Sequence, residues 1–316
     1  MAVFTHLSKT DIENFLLDYP VKNLLSFEGI AQGIDNTNYK IETSAGKYVL
    51  TIFEKRINPD DLPFFLGFMN HLSHSGIICP APVPRNDGQN LSDVFGKKAT
   101  LFPFLNGRDV KPDDITPPLC HELGILLGKM HVAGQKFNQT RANSMNWDAW
   151  NQRVTRVGDK SFPILGDKST LPTTELSYLK QHWPENLPTG AIHADLFPDN
   201  VFINDGHIYG VIDFYFSATD YLAYDLAIVM NAWCFDADNH FDTDRWAGLI
   251  TGYESIRPLT QPEKESYQIL SRGAAMRFLS SRLYDLVFHD PNALVHPQPP
   301  AEYLEKLEFH RHAKLF

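Results

Sequence analysis

The chain is poor in cysteine, short of positive charge and free of long apolar runs. Its three cysteines, Cys79, Cys120 and Cys234, lie far apart, in no C-x-x-C spacing and each among apolar neighbours. An odd and scattered set excludes a disulfide framework and predicts small buried residues in a reducing setting. Lys and Arg number 28 against 38 Asp and Glu, for a formal net charge of −10. That balance argues against nucleic acid or an anionic membrane as the main partner, although an acidic protein can still hold a local basic pocket for phosphate. No window approaches the roughly 20 uninterrupted apolar residues of a membrane span. The N-terminal MAVFTHLSKTDIENFLL lacks the basic and apolar regions of a secretory signal, so a cytoplasmic location is expected. Also missing are G-x-x-x-x-G-K-[ST] and G-x-G-x-x-G, the two common phosphate-cradling loops.

What is present is an ordinary globular composition, 43% apolar with 22 Phe, in a chain of 316 residues, suited to one large domain or two lobes. The first third reads as a small antiparallel sheet carrying one main helix. SKTDIENFLLDY (8–19) is a helix capped by Ser8 or Thr10, with Ile12, Phe15, Leu16 and Tyr19 on one face. NYKIET and KYVLTIFE alternate in polarity and join at Ser44-Ala45-Gly46 as a hairpin. NPDDLPFFLGFMNHLSHSG is a helix with an Asp cap, Pro63 in its first turn and a stop at Gly76. LSDVF and KKATLFPFL are strands on either side of Gly96.

After LFPFLNG (101–107) the texture turns helical. PPLCHELGILLGKMHVAG, DLAIVMNAWCF and the patterns at 243–288 and 300–312 are helices, and HIYGVIDF is a short strand. Residues 138–190 are broken by prolines and are assigned no elements. The expected fold class is α+β, with a nucleotide-binding lobe over 1–104, a hinge at about 101–107, and a catalytic and substrate-binding lobe over 105–316.

The chemistry concentrates in HADLFPDN, which holds His193, Asp195, Asp199 and Asn200. Asp195 and Asn200 have the Asp-to-Asn spacing of the kinase catalytic loop H-R-D-x-x-x-x-N, and YGVIDFY brings Asp213 to a strand end thirteen residues after Asn200. Phosphoryl transfer requires a carboxylate beside the acceptor hydroxyl, and oxygen ligands that hold Mg²⁺ against the phosphates of ATP. A polar turn capping a helix is the plain alternative, but it gives no reason for all three residues at these spacings. Asp199 reads better as a cap or solvated turn residue. Upstream, EGIAQGIDNTNYKI offers Gly33, Asn36, Thr37 and Asn38 as a small-residue loop for the phosphates.

Together, the Gly/Asn loop, LFPFLNG, HELGILLGKMH, HADLFPDNVF, VIDF and YDLA resemble the aminoglycoside-phosphotransferase-like, or choline-kinase-like, small-molecule kinases over nearly the whole chain. The resemblance implies a two-lobed protein-kinase-like fold using ATP and Mg²⁺. In it Asp195 is the catalytic base, and Asn200 and Asp213 are the metal ligands. His193 is a member of the loop, backbone groups within Pro103, Phe104 and Leu105 meet adenine, and Asp225 is a structural aspartate. GIDNTNYKIET, YVLTIFEKR and RFLSSRLYD are most similar to the bacterial branch that phosphorylates the hydroxyl of L-homoserine. The sequence departs from the wider family at the third strand, and the helix over 60–75 carries no acidic residue in its middle to pair with a lysine there. The lysine of the third strand falls at Thr51, and neither Lys55 nor Arg56 is assigned to replace it.

A homoserine pocket calls for an arginine to meet the carboxylate and an acid to meet the ammonium. The candidates are Arg277 or Arg282 for the first and Asp220 for the second, with surface or structural ion pairing as the alternative for either arginine. Choline, methylthioribose or an aminoglycoside are the rival acceptors, and a nucleotide-binding pseudokinase is the rival of another class. His310 and His312 cannot share a helical face, so no zinc site is expected.

Overall fold

Ser8 opens the first helix: its hydroxyl accepts from the N–H of Asp11, whose carboxylate accepts from the N–H of Ser8 in return. The computed structural model describes residues 4–21, 23–31, 36–54, 57–289 and 296–316. They divide into two units, Met1–Gly107 with Tyr209–Tyr215, and Arg108–Ile208 with Phe216–Phe316.

In the first unit, helix α1 (Lys9–Leu16) buries Ile12, Phe15 and Leu16. Strands β1 (Leu24–Gly29), β2 (Asn36–Thr43) and β3 (Gly46–Phe53) follow, then helix α2 (Leu62–His74) and strands β4 (Ser92–Val94) and β5 (Lys97–Pro103). The sheet is antiparallel in the order β1-β2-β3-β5-β4. The alternation read from the sequence is realised, with Tyr39 and Ile41 of β2 facing Leu50 and Ile52 of β3 in one buried cluster with α1. Phe95 and Gly96 both take positive φ, 50° and 76°, as a tight two-residue hairpin turn requires. The cap of α2 differs from the expected Asp60 or Asp61. The Asn58 side chain accepts from the N–H of Asp60 and opens a short 3₁₀ turn ahead of the helix, while Asp61 makes no side-chain cap bond.

The second unit begins with strand β6 (Arg108–Asp109) and helix α3 (Pro117–Gly134), which Thr116 caps. Residues 138–190, unassigned from the sequence, contain helices α4 (Trp147–Val157), α5 (Phe162–Leu165) and α6 (Leu171–His182). Strands β7 (Thr189–Ile192) and β8 (Val201–Asn204) come next, then β9 (His207–Val211), which begins in this unit and ends in the first, and β10 (Ala218–Tyr221); β10 pairs with β7 and β6 with β8. Helices α7 (Leu222–Trp233), α8 (Thr243–Glu254), α9 (Gln261–Val287) and α10 (Ala301–His312) complete it. The 27-residue α9 is its spine, with α4, α6, α7 and α10 packed against it. A capping box between Thr260 and Glu263 starts α9. Among the described residues no helix is long and apolar enough to cross a membrane. Cys79, Cys120 and Cys234 are buried and unbridged, and burial pushes the thiols of Cys79 and Cys120 up to about 12.

Helices α3 and α8 meet backbone to backbone. A Cβ on Gly124 would stand 2.1 Å from the carbonyl oxygen of Leu249, and one on Gly252 would stand 2.1 Å from that of His121. Only hydrogen fits at either place, so two G-x-x-x-G spacings, Gly124–Gly128 and Gly248–Gly252, set this approach. The contact places His131, near the end of α3, beside Tyr253 of α8, with Nδ1 2.8 Å from the phenol oxygen.

Candidate active site

Strand β7 delivers the chain into His193–Ala194–Asp195, where Ala194 takes φ 64°, the left-handed region. That conformation costs a non-glycine residue on the order of 1–2 kcal/mol. Surrounding hydrogen bonds offset it by engaging the loop's backbone groups one after another. The carboxylate of Asp225, fully buried on α7, accepts from the N–H of His193 at 3.0 Å and of Ala194 at 2.8 Å. From α9, Arg277 donates to the carbonyl of Ala194. Asn200 Nδ2 donates to the carbonyl of Asp195 at 2.8 Å, and Trp233 Nε1 donates to that of Leu196 at 2.9 Å. The N–H of Asp195 itself donates to Nδ1 of His193 at 3.3 Å. Asp195 is thus held in place before any ligand arrives, the preorganisation that positional catalysis requires.

Behind Asp225 a buried chain of polar groups runs away from the loop. His131 Nε2 donates to Asp225 at 3.1 Å, His131 Nδ1 accepts from Tyr253, and Arg257 donates both to the Tyr253 oxygen at 2.9 Å and to Glu263 at 2.8 Å. Burial holds the His131 pKa below the ordinary imidazole value, so the ring is neutral. Burial alone would raise the carboxyl of Asp225, but the bonds from His131 and the His193 N–H outweigh it and hold Asp225 ionised.

Because Asn200 uses Nδ2 on the loop, its Oδ1 is the side-chain oxygen left to face a cation. Asp213, in the first unit, is exposed two residues past β9 and also takes a left-handed φ of 64°. It is fixed from both sides. Val211 donates to the carbonyl of Ile78 at 3.0 Å, and Phe214 packs edge-on against Phe68 with ring centres 5.9 Å apart. An amide oxygen and a carboxylate are hard ligands of the kind Mg²⁺ prefers. Asp199 is exposed on the turn Pro198–Asn200.

Other expected positions come out differently. Gly33, Lys55 and Arg56 lie outside the described residues. Asn36, Thr37 and Asn38 are not in a loop but form the first rungs of β2, and their side chains serve the sheet. Asn36 accepts from the N–H of Glu54, Thr37 accepts from Phe4 and Thr5 and donates to Glu54, and Asn38 accepts from Thr51 at 2.7 Å. A neutral Thr51–Asn38 pair therefore stands where the family lysine is expected. In the hinge segment, the N–H of Phe104 is engaged by the carbonyl of Lys47 at 3.0 Å, and Pro103 ends β5 with Leu105 just beyond. Arg282 pairs with Glu302 at 2.5 Å and lies over the ring of Tyr303, the structural ion pair weighed as its alternative. Arg277 donates to the carbonyl of Ala194 and lies 3.4 Å from Oδ1 of Asp195. Asp220, on β10, accepts from Asn143 Nδ2 and from the N–H of Tyr221, each at 2.7 Å. The one group of three metal-ligating side chains among the described residues, Asp236, Asp238 and His240, is exposed, and Asp236 is occupied by its own turn's N–H groups.

The chain as a whole is similar to known proteins. The model of the phosphotransferase enzyme family matches residues 26–259. A homoserine kinase of Rhizobium meliloti (strain 1021) is 42% identical over 311 residues, covering 98% of this chain and 95% of the relative. One of Methylobacterium radiotolerans is 44% identical over 314 residues, covering 99% and 97%. The chain belongs to the homoserine kinases of that family. Among solved structures, an amicoumacin kinase in complex with AMP-PNP and Ca²⁺ superposes with a TM-score of 0.72 at 16% identity, covering 98% of this chain and 95% of the other, a likeness of fold. Two supports of the loop, His131 and Tyr253, have no signal of their own in the sequence beyond the G-x-x-x-G spacings beside them, which mark that α3 and α8 touch. Arg277, a candidate for the acceptor carboxylate or for structural pairing, contacts the loop.

Proposed function

We propose that the protein transfers the γ-phosphoryl group of ATP to the hydroxyl of L-homoserine in the cytoplasm, giving O-phospho-L-homoserine. The observation that carries the reading is the alignment with homoserine kinases over 98% of the chain, which includes the pinned Asp195 loop. Asp195 accepts the proton of the acceptor hydroxyl, and Arg277, Asp225 and Trp233 hold it in position. Asn200 and Asp213 hold Mg²⁺, which when bound neutralises charge on the phosphates. With Thr51 and Asn38 paired to each other, no lysine side chain is assigned to the phosphates. Gly33 and the backbone of Phe104 and Leu105 are assigned to the nucleotide.

The test is ATP-dependent phosphorylation measured against homoserine, choline, methylthioribose and an aminoglycoside. The expected preference is for homoserine. Preference for another acceptor overturns the assignment, and no turnover with any of the four favours a nucleotide-binding module.

A further inference from the structure

Between α4, α6, β10 and α7 of the second unit lies a cavity of about 280 Å³ walled by Trp147, Trp150, Trp183 and Tyr224 and carrying the carboxylate of Asp220. The rings support one another. Trp183 stands edge-on to Trp150 at 5.8 Å and to Tyr224 at 5.7 Å. Gly273 of α9 makes room for Trp183, since a Cβ there would fall 2.4 Å from the indole.

Two features ask for a ligand. The Tyr224 hydroxyl is buried and has no hydrogen-bond partner among the described residues, in a residue only 1% exposed. Buried polar groups without partners are rare and costly. The second feature is Asp220. A carboxylate accepts about four hydrogen bonds, and here Asn143 and the Tyr221 N–H supply two. No lysine or arginine lines the cavity, so a half-buried acid sits among aromatic rings with no cation in the lining. Anions that carry no positive charge of their own are repelled from such a place, whereas an ammonium gains an ion pair and cation–π contacts together. The volume stands at the lower end of small-molecule sites, enough for a small amine and too little for a polycationic aminoglycoside.

The position ties the cavity to catalysis. Asp220 pairs with Gly190 of β7, the strand that leads into the catalytic loop, and Tyr224 immediately precedes the loop's clamp, Asp225. We propose that this cavity receives the α-ammonium group of the acceptor amino acid, with Asp220 as the counter-ion and the Tyr224 hydroxyl as a hydrogen-bond partner. The proposal rests on the homoserine reading given above and adds to it the pocket that tells an amino acid from a plain alcohol.

Two variants test it. Tyr224→Phe removes a hydroxyl that supports nothing in the unliganded protein, so its melting temperature should match the wild type while KM for homoserine rises about fivefold, the value of one neutral hydrogen bond. Asp220→Asn should raise that KM about tenfold or more, leave KM for ATP unchanged, and narrow the gap between homoserine and its amine-free analogue 4-hydroxybutanoate. Tryptophan emission from the cavity wall, titrated without ATP, should respond to homoserine and not to 4-hydroxybutanoate. Wild-type KM for homoserine in Tyr224→Phe overturns the proposal, even where Asp220→Asn fails to fold. An emission response lost with KM untouched also overturns it, because the amine then binds apart from the acceptor site. Wild-type protein that does not phosphorylate homoserine counts instead against the acceptor assignment, and equal emission responses to the two titrants then count against the cavity.

Discussion

Nη2 of Arg277 lies 3.4 Å from Oδ1 of Asp195, while Nη1 of the same guanidinium donates to the carbonyl one residue earlier. One side chain therefore holds both the backbone and the carboxylate of the proposed base. Arg277→Met should lower kcat about a hundredfold with little change in KM for ATP, and Arg277→Lys should recover only part of it, since an ammonium cannot reproduce a planar fork. Steady-state kinetics at saturating ATP checks this. A kcat within about threefold of wild type in Arg277→Met would show that the other loop contacts suffice.

Asp195→Asn keeps the shape and the backbone contacts but removes the proton acceptor. Turnover should fall by about 10² to 10⁴, the usual value of a general base, while binding of an ATP analogue, followed by calorimetry, stays close to wild type. Turnover near normal would remove Asp195 from the mechanism.

Gly252→Ala and Gly124→Ala each drive a methyl group into backbone carbonyl rather than into a movable side chain. Overpacking of this kind typically costs about 1–3 kcal/mol, and occasionally more. Because α3 and α8 carry His131 and Tyr253, kcat should fall in the folded fraction too. Urea denaturation reads the first effect, and a loss under about 1 kcal/mol would mean that the helices part freely.

His131 and His310 are fully buried, and burial holds both below the usual imidazole value, His310 at about 3. His310 rests against Asn231 Oδ1 at 2.7 Å. For a base depressed in the folded state, the unfolded chain takes up the proton first. Stability is therefore complete above about pH 6.5 and declines as the pH falls from there towards the folded value. Each histidine contributes a slope of up to about 1.4 kcal/mol per pH unit in that window. Denaturation midpoints should drop between about pH 7 and pH 5, and His310→Gln should flatten the curve. An unchanged slope in that variant would mean that His310 is already protonated in the fold.

Features that depend on neighbours in sequence were readable before any coordinates. The hairpin at Ser44-Ala45, the Ser8 cap and the five-residue step from Asp195 to Asn200 are all local patterns, and each stands where the spacing puts it. What escaped depends on residues remote in sequence. Nothing near Arg277 says that it will touch Ala194, 83 positions earlier, and nothing near His131 names Tyr253, 122 positions later. Asn36, Thr37 and Asn38 misled for a related reason: polar residues of the turn-forming kind opened a strand because Glu54, Phe4, Thr5 and Thr51 supplied their partners. The helices within 138–190 lacked a legible signal because their short apolar faces are interrupted by prolines at N-terminal positions.

The return of Tyr209–Tyr215 to the β-rich unit limits how the gene can be cut. Tyr215 packs against Phe53 and Phe65, and Phe214 packs against Phe68, so a fragment ending at Gly107 would expose the aromatic surface of α2 and β3. The β-rich unit is not a cassette that recombination can exchange with a single crossover, because seven of its residues are encoded amid the other unit. A functional chimaera with a related kinase needs a donor for both stretches at once.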